Sequence, residues 1–123
     1  MIIRTLVDTS VWIDHFNKPN ERLRVLVDNR FALSHPLIIG ELACGRIPDR
    51  AGVLQFISAL RQTTIPSPFE VLDMIESLEL YGRGLGWIDV NLIASALLSR
   101  AYLYSHDKKL IAVSSELDLL GPT

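Results

Sequence analysis

The stretch IIRTLVDTSVWI, residues 2–13, decides the fold. Residues 2–7 form a short apolar run, β-branched at Ile2, Ile3, Thr5 and Val7, which has the composition of a buried strand. Asp8, Thr9 and Ser10 then offer the short polar side chains that start a helix, and the apolar pattern resumes through Phe16. A strand passing straight into a helix is the opening unit of an α/β domain. The same stretch poses an electrostatic problem, because Asp8 puts a carboxylate at the end of a segment made for burial.

Three more segments repeat the problem. Glu41 lies inside PLIIGELACG (36–45), Asp89 opens DVNLIASALL (89–98), and Asp107 follows YLYSH (102–106). Glu41 falls on one helical stripe with Ile38, Leu42 and Gly45, so its charge is expected to face inward. Asp89 precedes a helix whose Leu92, Ile93, Ala96, Leu97 and Arg100 mark the side expected to be buried. Each acid has a plainer explanation when taken alone. Asp8, Asp89 and Asp107 can cap helices, and Glu41 can pair with a base such as Arg46. Four of them on separate elements favour a shared positive partner instead.

Between these segments the chain alternates strands and helices. Pro19 to Asn29 reads as a helix with Leu23, Leu26 and Val27 on one face, FALS (31–34) as a strand, and His35 and Pro36 as the start of a third helix. Pro48 and Asp49 open a fourth, with Val53, Leu54, Phe56, Ile57 and Leu60 as its apolar set, and TTIP (63–66) reads as a strand. Pro68 starts a helix expected to reach Tyr81. There Val71, Leu72, Met74, Ile75 and Leu78 face inward, and Glu70, Asp73, Glu76 and Glu79 form a solvated face. Gly82, Gly84 and Gly86 break the pattern before a helix over 89–100. YLYS (102–105) is a strand, Asp107 caps a last short helix, and 117–120 is a weak strand. This order predicts one α/β domain over residues 1–123, a mainly parallel sheet covered on both faces. Such sheets bind ligands beyond the carboxyl ends of their strands, where the strand order reverses. Asp8 and Asp107 each follow a strand, so they meet there if the two strands are neighbours.

Composition bounds the rest. The 123 residues are 49% hydrophobic and 21% charged, as suits one packed domain and not a disordered chain. Arg4 and Asp8 interrupt any leader-like run, and no apolar run approaches membrane-spanning length. With a single cysteine, Cys44, no internal disulfide can form, so a cytoplasmic protein is expected, with Cys44 as a small buried hydrophobe. The net charge of −2 argues against a polyanion at first sight, yet setting the four acids aside leaves 12 basic residues against 10 of the original 14 acidic ones. His15, His35 and His106 have no mutual spacing that makes a ligand set and are expected on the surface or in loops. Trp12 and Trp87 are expected in the core or in subunit packing. The glycines of GRGLG (82–86) lack the lysine and hydroxyl of a phosphate loop. Exposed aliphatic surface for a symmetric interface is sought on the third and fourth helices.

Carboxylates clustered without histidine or cysteine suit a hard ion, Mg²⁺ or Mn²⁺, that prefers oxygen ligands and keeps water. Such an ion leaves room for a phosphate oxygen and a water, the arrangement for hydrolysing a phosphodiester.

DTSVWI at Asp8, GELACG at Glu41, DVNLIASA at Asp89 and SHDKKL at Asp107, in this order over nearly the whole chain, resemble the PIN-domain nucleases, and more narrowly the VapC-type toxin ribonucleases of type II toxin–antitoxin pairs. The resemblance implies a three-layer α/β/α domain that binds Mg²⁺ or Mn²⁺ and cuts RNA endonucleolytically. It implies Asp8 and Asp89 as the principal metal ligands, with Glu41 and Asp107 completing the catalytic pocket directly or through water. Thr9 or Ser10, and Ser105, stand where hydroxyls support those acids, while Lys108, Lys109 and Arg83 are candidates for phosphate contacts. A homodimer and a cognate VapB-type antitoxin are the implied partners. Two readings compete: a receiver-like signalling domain phosphorylated on Asp8, which has no need of Glu41, and a catalytically silent PIN-like binding module.

Overall fold

Four short strands and seven helices alternate along residues 4–121, the part of the chain that the computed structural model describes. In order they are β1 (Thr5–Val7), α1 (Thr9–Asn17), α2 (Glu21–Asp28), β2 (Ala32–Ser34), α3 (Pro36–Cys44), α4 (Arg50–Ala59), β3 (Arg61–Gln62), α5 (Pro68–Ser77), α6 (Trp87–Ser99), β4 (Tyr102–Tyr104) and α7 (Lys108–Glu116). The sheet runs β3-β2-β1-β4 with every pair parallel. After β1 the chain winds outward through β2 and β3, then returns to lay β4 on the other side of β1. The reversal therefore falls between β1 and β4, the two strands after which Asp8 and Asp107 come. The architecture is the three-layer α/β/α arrangement expected of the sequence.

The strands are buried because they are central. Thr5, Leu6 and Val7 are sealed, as are Leu33 and Leu103 on either side. α6 packs on β1 and β4. Its residues Val90–Ala96 are buried one after another, the pattern of a helix covered on most of its circumference. Burying each large aliphatic side chain contributes about 1.5–3 kcal/mol, and Leu92, Ile93, Leu110, Ile38, Leu42 and Ile57 are all sealed. α5 lies on the outer side of α6, and α3 packs against α4 and α1.

Four helices end alike. After α2, α5, α6 and α7 the chain passes through a left-handed residue, Arg30, Glu79, Arg100 and Asp118 respectively. The next amide then reaches back five residues: Phe31 N to Leu26 O (2.8 Å), Leu80 N to Ile75 O (2.9 Å), Ala101 N to Ala96 O (2.9 Å) and Leu119 N to Ser114 O (2.8 Å). This closure satisfies the orphan carbonyls and turns an apolar residue back into the core. It is normally signalled by glycine, which is absent at all four positions.

Several expectations are corrected here. Residues 2 and 3 of the first strand lie outside the described residues. The third strand is Arg61–Gln62, not TTIP; Thr63 adds one backbone bond to Ser34 O at 3.0 Å before Pro66 ends the pairing potential. α5 stops at Ser77, not Tyr81, because Glu79 turns left-handed. Leu72, Leu78 and Leu97, expected inside, are exposed. α6 starts at Trp87, two residues before Asp89. Residues 117–120 form no strand, although Leu103 N still reaches Leu119 O at 2.7 Å. Cys44 is exposed, Trp87 is exposed, and His35 is buried, where it caps α3 by accepting the Leu37 amide on Nδ1. Exposed large apolar side chains gather on α5 and α6 (Phe69, Leu72, Leu97, Leu98), whereas of that size α3 and α4 show Phe56 alone among the described residues. None of the described helices is long and apolar enough to cross a membrane.

Candidate active site

Strand register brings the first two groups together. Thr5, Leu6 and Val7 pair with Tyr102, Leu103 and Tyr104, and Asp8 N extends the ladder by donating to Tyr104 O at 2.9 Å. Asp8 therefore stands level with Ser105 at the carboxyl edge. It heads α1, yet its side chain makes no capping hydrogen bond. Instead its Oδ2 accepts from Ser10 Oγ and from Ser105 Oγ, both at 2.7 Å, and the residue is only 7% exposed. A capping aspartate would spend that oxygen on its own helix; here it is held by hydroxyls from two elements.

The hydroxyls are themselves fixed. Ser10 Oγ accepts the His106 amide and Ser105 Oγ accepts the Asp107 amide, each at 3.0 Å. Asp107 does cap α7, its Oδ1 taking the Lys109 and Leu110 amides at 3.0 Å, which is the plainer role foreseen for it. Its charge nonetheless reaches the cleft, because it is one of the two acids that act on Asp89.

Asp89 occupies the third position of α6, and its Oδ2 accepts the Gly86 amide at 2.9 Å. Burial is the main force raising its carboxyl above the usual range. The Gly86 bond opposes that rise, the charges of Asp107 and Asp8 add to it, and Lys109 opposes it. Three carboxylates thus share one field with one nearby cation.

Glu41 differs from expectation. Ile38 and Leu42 beside it are sealed, but Glu41 itself is exposed at the rim of α3, and the inward-facing charge is corrected to an edge position. Its Oε1 is held there by Thr9 Oγ1 at 2.7 Å. Thr9, Ser10 and Ser105 are all engaged with acids, Thr9 with Glu41 and the two serines with Asp8.

The basic candidates divide. Lys109 lies along the glycine loop: a Cβ on Gly84, whose φ is +80°, would come within 2.8 Å of its Nζ. The left-handed backbone there favours glycine, and the lysine stem crosses the space a side chain would take. Lys108 is exposed in the first turn of α7. Arg83 is engaged elsewhere, forming a bidentate pair with Glu116, so it is not free for phosphate; Glu116 raises its pKa, and Arg83 lowers that of Glu116.

Sequence reading passed over the rim beside Ser105. His106 Nδ1 contacts Asp14 Oδ2 at 2.6 Å and packs edge-on to Tyr104, whose hydroxyl accepts from Asn20 Nδ2 at 2.8 Å and whose ring carries the Arg22 guanidinium 4.1 Å from its centre. No spacing rule links residues 14, 20, 22, 104 and 106. Only the β1–β4 adjacency does. The Gly86–Asp89 bond was legible in principle as the second half of a capping box.

Among the described residues, no three histidine, cysteine, aspartate or glutamate side chains lie close enough to hold an ion by themselves. The donor set is nonetheless all hard oxygen, pre-oriented by hydroxyls and amides and burdened with mutual repulsion. That fits an ion which takes one or two carboxylates and keeps several waters, as Mg²⁺ does, better than an ion that demands a full protein cage.

No family model matches the sequence. Two curated relatives, both named Ribonuclease VapC32, from Mycobacterium tuberculosis strains CDC 1551 / Oshkosh and ATCC 25618 / H37Rv, are each 44% identical over 112 residues, which is 90% of this chain and 90% of theirs. Among solved structures, the crystal structure of PAE2754 from Pyrobaculum aerophilum has a TM-score of 0.58 at 22% identity, over 91% of this chain and 80% of that one, a likeness of fold. With the relatives matched over nine-tenths of both chains and the same fold found in a solved structure, the chain belongs to the VapC-type PIN-domain ribonucleases.

Proposed function

We propose that this chain is a metal-dependent endoribonuclease acting as the toxin of a type II toxin–antitoxin pair. One observation carries the chemistry: Asp8 and Asp107 lie near enough to raise the Asp89 carboxyl, so three acids share a cleft with Lys109 as the opposing charge. Negative charge gathered in this way is costly unless a cation offsets it. Asp8 and Asp89 would hold Mg²⁺ or Mn²⁺, with Glu41 and Asp107 assisting directly or through water. When bound, the ion supplies Lewis-acid polarisation of a phosphate oxygen and a water of lowered pKa.

The chain's own residues do the positioning. Ser10 and Ser105 turn one Asp8 oxygen toward themselves, which leaves the other for the cleft. The Gly86 amide orients Asp89, and Thr9 holds Glu41 at the rim. Lys109, kept against Gly84, is the cation best placed to meet a phosphate. No side-chain nucleophile is needed.

The relatives' name, Ribonuclease VapC32, supports RNA as substrate and a VapB-type antitoxin as partner. Exposed Phe69, Leu72, Leu97 and Leu98 on α5 and α6 support a homodimer. To test the activity, purified protein is incubated with mixed cellular RNA in Mg²⁺ or in chelator, and the new ends are sequenced. Site-selective cuts that vanish in chelator are expected. Cuts indifferent to chelator would overturn the metal's role, and acid-labile phosphate on Asp8 without cleavage would favour the receiver reading.

A further inference from the structure

At the amino edge of the sheet, opposite the acids, the chain builds a basic cavity of about 560 Å³. Arg4 precedes β1, Arg30 and Phe31 precede β2, and Arg61 opens β3. These strands are neighbours and parallel, and adjacent strands are about 4.8 Å apart, so three cationic side chains are rooted within roughly 10 Å.

The bland reading is that these arginines serve helix ends. Arg4 Nη2 does donate to Ser99 O at 3.0 Å, at the end of α6. The end of α2, which abuts the cavity, does not need Arg30. At the end of α2 the carbonyls of Val25, Leu26 and Val27 are already taken by Asn29 Nδ2, Phe31 N and Arg30 N. Three helix C-termini (α2, α4 and α6) contribute about −0.5 charge each, which leaves about half of the three positive charges uncompensated. Among the described residues none of the three arginines forms an ion pair, and no acid lines the cavity.

Apart from Asn29, whose side-chain amide is engaged with Val25 O, the remaining wall is apolar, with Phe31 and Leu60 prominent. Guanidinium forks match phosphate oxygens, an apolar wall with an aromatic ring suits a base or sugar, and the volume falls in the range of small-ligand sites. We propose that this cavity binds a phosphorylated nucleotide, with its phosphates on Arg4, Arg30 and Arg61. The phosphate can belong to a free nucleoside triphosphate or to the 5′ end of an RNA.

The test is calorimetric titration of the full chain in chelator, which silences any metal at the acidic edge and so separates this proposal from the nuclease reading. The probes are ATP, tripolyphosphate, adenosine, and a short RNA with a 5′-phosphate or a 5′-hydroxyl. Saturable sub-millimolar binding of ATP is expected, weaker for tripolyphosphate and lost for adenosine. Arg30→Glu and Arg61→Glu should each weaken it at least about tenfold while leaving RNA cleavage in Mg²⁺ unchanged. Tight binding of the 5′-phosphorylated RNA but not of ATP would assign the phosphate to RNA. Failure of ATP, tripolyphosphate and 5′-phosphorylated RNA alike to bind, or binding untouched by both substitutions, would overturn the proposal.

Discussion

The two edges of the sheet carry opposite charge and hold it in opposite ways. At the carboxyl edge Asp8 is buried and gripped by two serines, Asp89 is half-buried on a backbone amide, Glu41 is tied to Thr9, and Asp107 is locked into a helix cap. At the amino edge Arg30 and Arg61 are exposed and form no ion pair among the described residues. Orientation is therefore built into the acidic edge throughout, whereas of the three cavity arginines Arg4 alone is tied among the described residues, to Ser99 O. Supported, mutually repelling acids suit chemistry that depends on placement to a fraction of an ångström. Exposed guanidiniums without an ion pair suit recognition that depends chiefly on charge.

The largest effect belongs to the acids. Asp8→Ala and Asp89→Ala should each lower Mg²⁺-dependent RNA cleavage by about a thousandfold, at the upper end of what one electrostatic contributor commonly supplies. Either variant should keep its fold, since the side chain of Asp8 bonds two serine hydroxyls at the sheet edge and that of Asp89 bonds the Gly86 amide. Cleavage within a few-fold of the parent protein for both variants would remove these residues from the site.

The supporting hydroxyls come next. Ser105→Ala removes one of two hydrogen bonds to Asp8 Oδ2 and leaves the Asp107 amide without its acceptor. Cleavage should fall about tenfold or somewhat more, as when outer supports of a metal site are lost. Ser10→Ala should do likewise, and the double variant should lose less than the product because both hydroxyls hold the same oxygen. The readout is kcat/KM on a single cleavage site. Multiplicative losses would show that the serines act independently, and no loss would show that Asp8 orients itself.

These hydroxyls also show how far residues alone reveal the site. The four acids stood out because each interrupts an apolar run, and the placing of Asp8 and Asp107 at one sheet edge was foreseeable once strands were placed before them. What escaped notice depends on adjacency across the sheet. Asp14, Tyr104 and His106 have no shared period, and only the pairing of β1 with β4 brings them to one rim. Glu41 misled because a stripe shared with Ile38 and Leu42 does not say where the stripe's edge falls. Leu72, Leu78 and Leu97 misled for a related reason: apolar periodicity marks a face that something covers, and on α5 and α6 part of that face is exposed.

A smaller effect separates the two edges by pH. The folded-state carboxyl of Asp89 is raised, chiefly by burial, so the folded protein holds this proton more tightly than the unfolded chain does. Its contribution is fully present below the ordinary carboxylate pKa and is lost as pH rises through the raised value. Asp89→Asn should abolish that dependence and raise the urea midpoint near neutral pH in chelator, whereas Arg61→Gln should leave the acid-range profile unaltered. An unchanged neutral midpoint for Asp89→Asn would mean that the cleft does not strain the apo protein.

The smallest effect tests the helix ends that confused the sequence reading. Glu79 is left-handed (φ 52°), and Leu80 beyond it is buried and bonds back to Ile75 O. With no glycine to mark this stop, the helix pattern ran on toward Tyr81. A non-glycine residue in this conformation costs about 1–2 kcal/mol, of which glycine's larger unfolded-state entropy returns about 0.5–1. Glu79→Gly should therefore stabilise the protein by roughly 0.5 kcal/mol, read as a higher urea midpoint at unchanged slope. Arg30→Gly relieves the same geometry at the amino edge (φ 62°) and should gain as much while removing a cation from the basic cavity. If Arg30 gains stability and Glu79 does not, the arginines repel one another and the amino edge is strained by charge; equal gains leave backbone geometry as the whole cause.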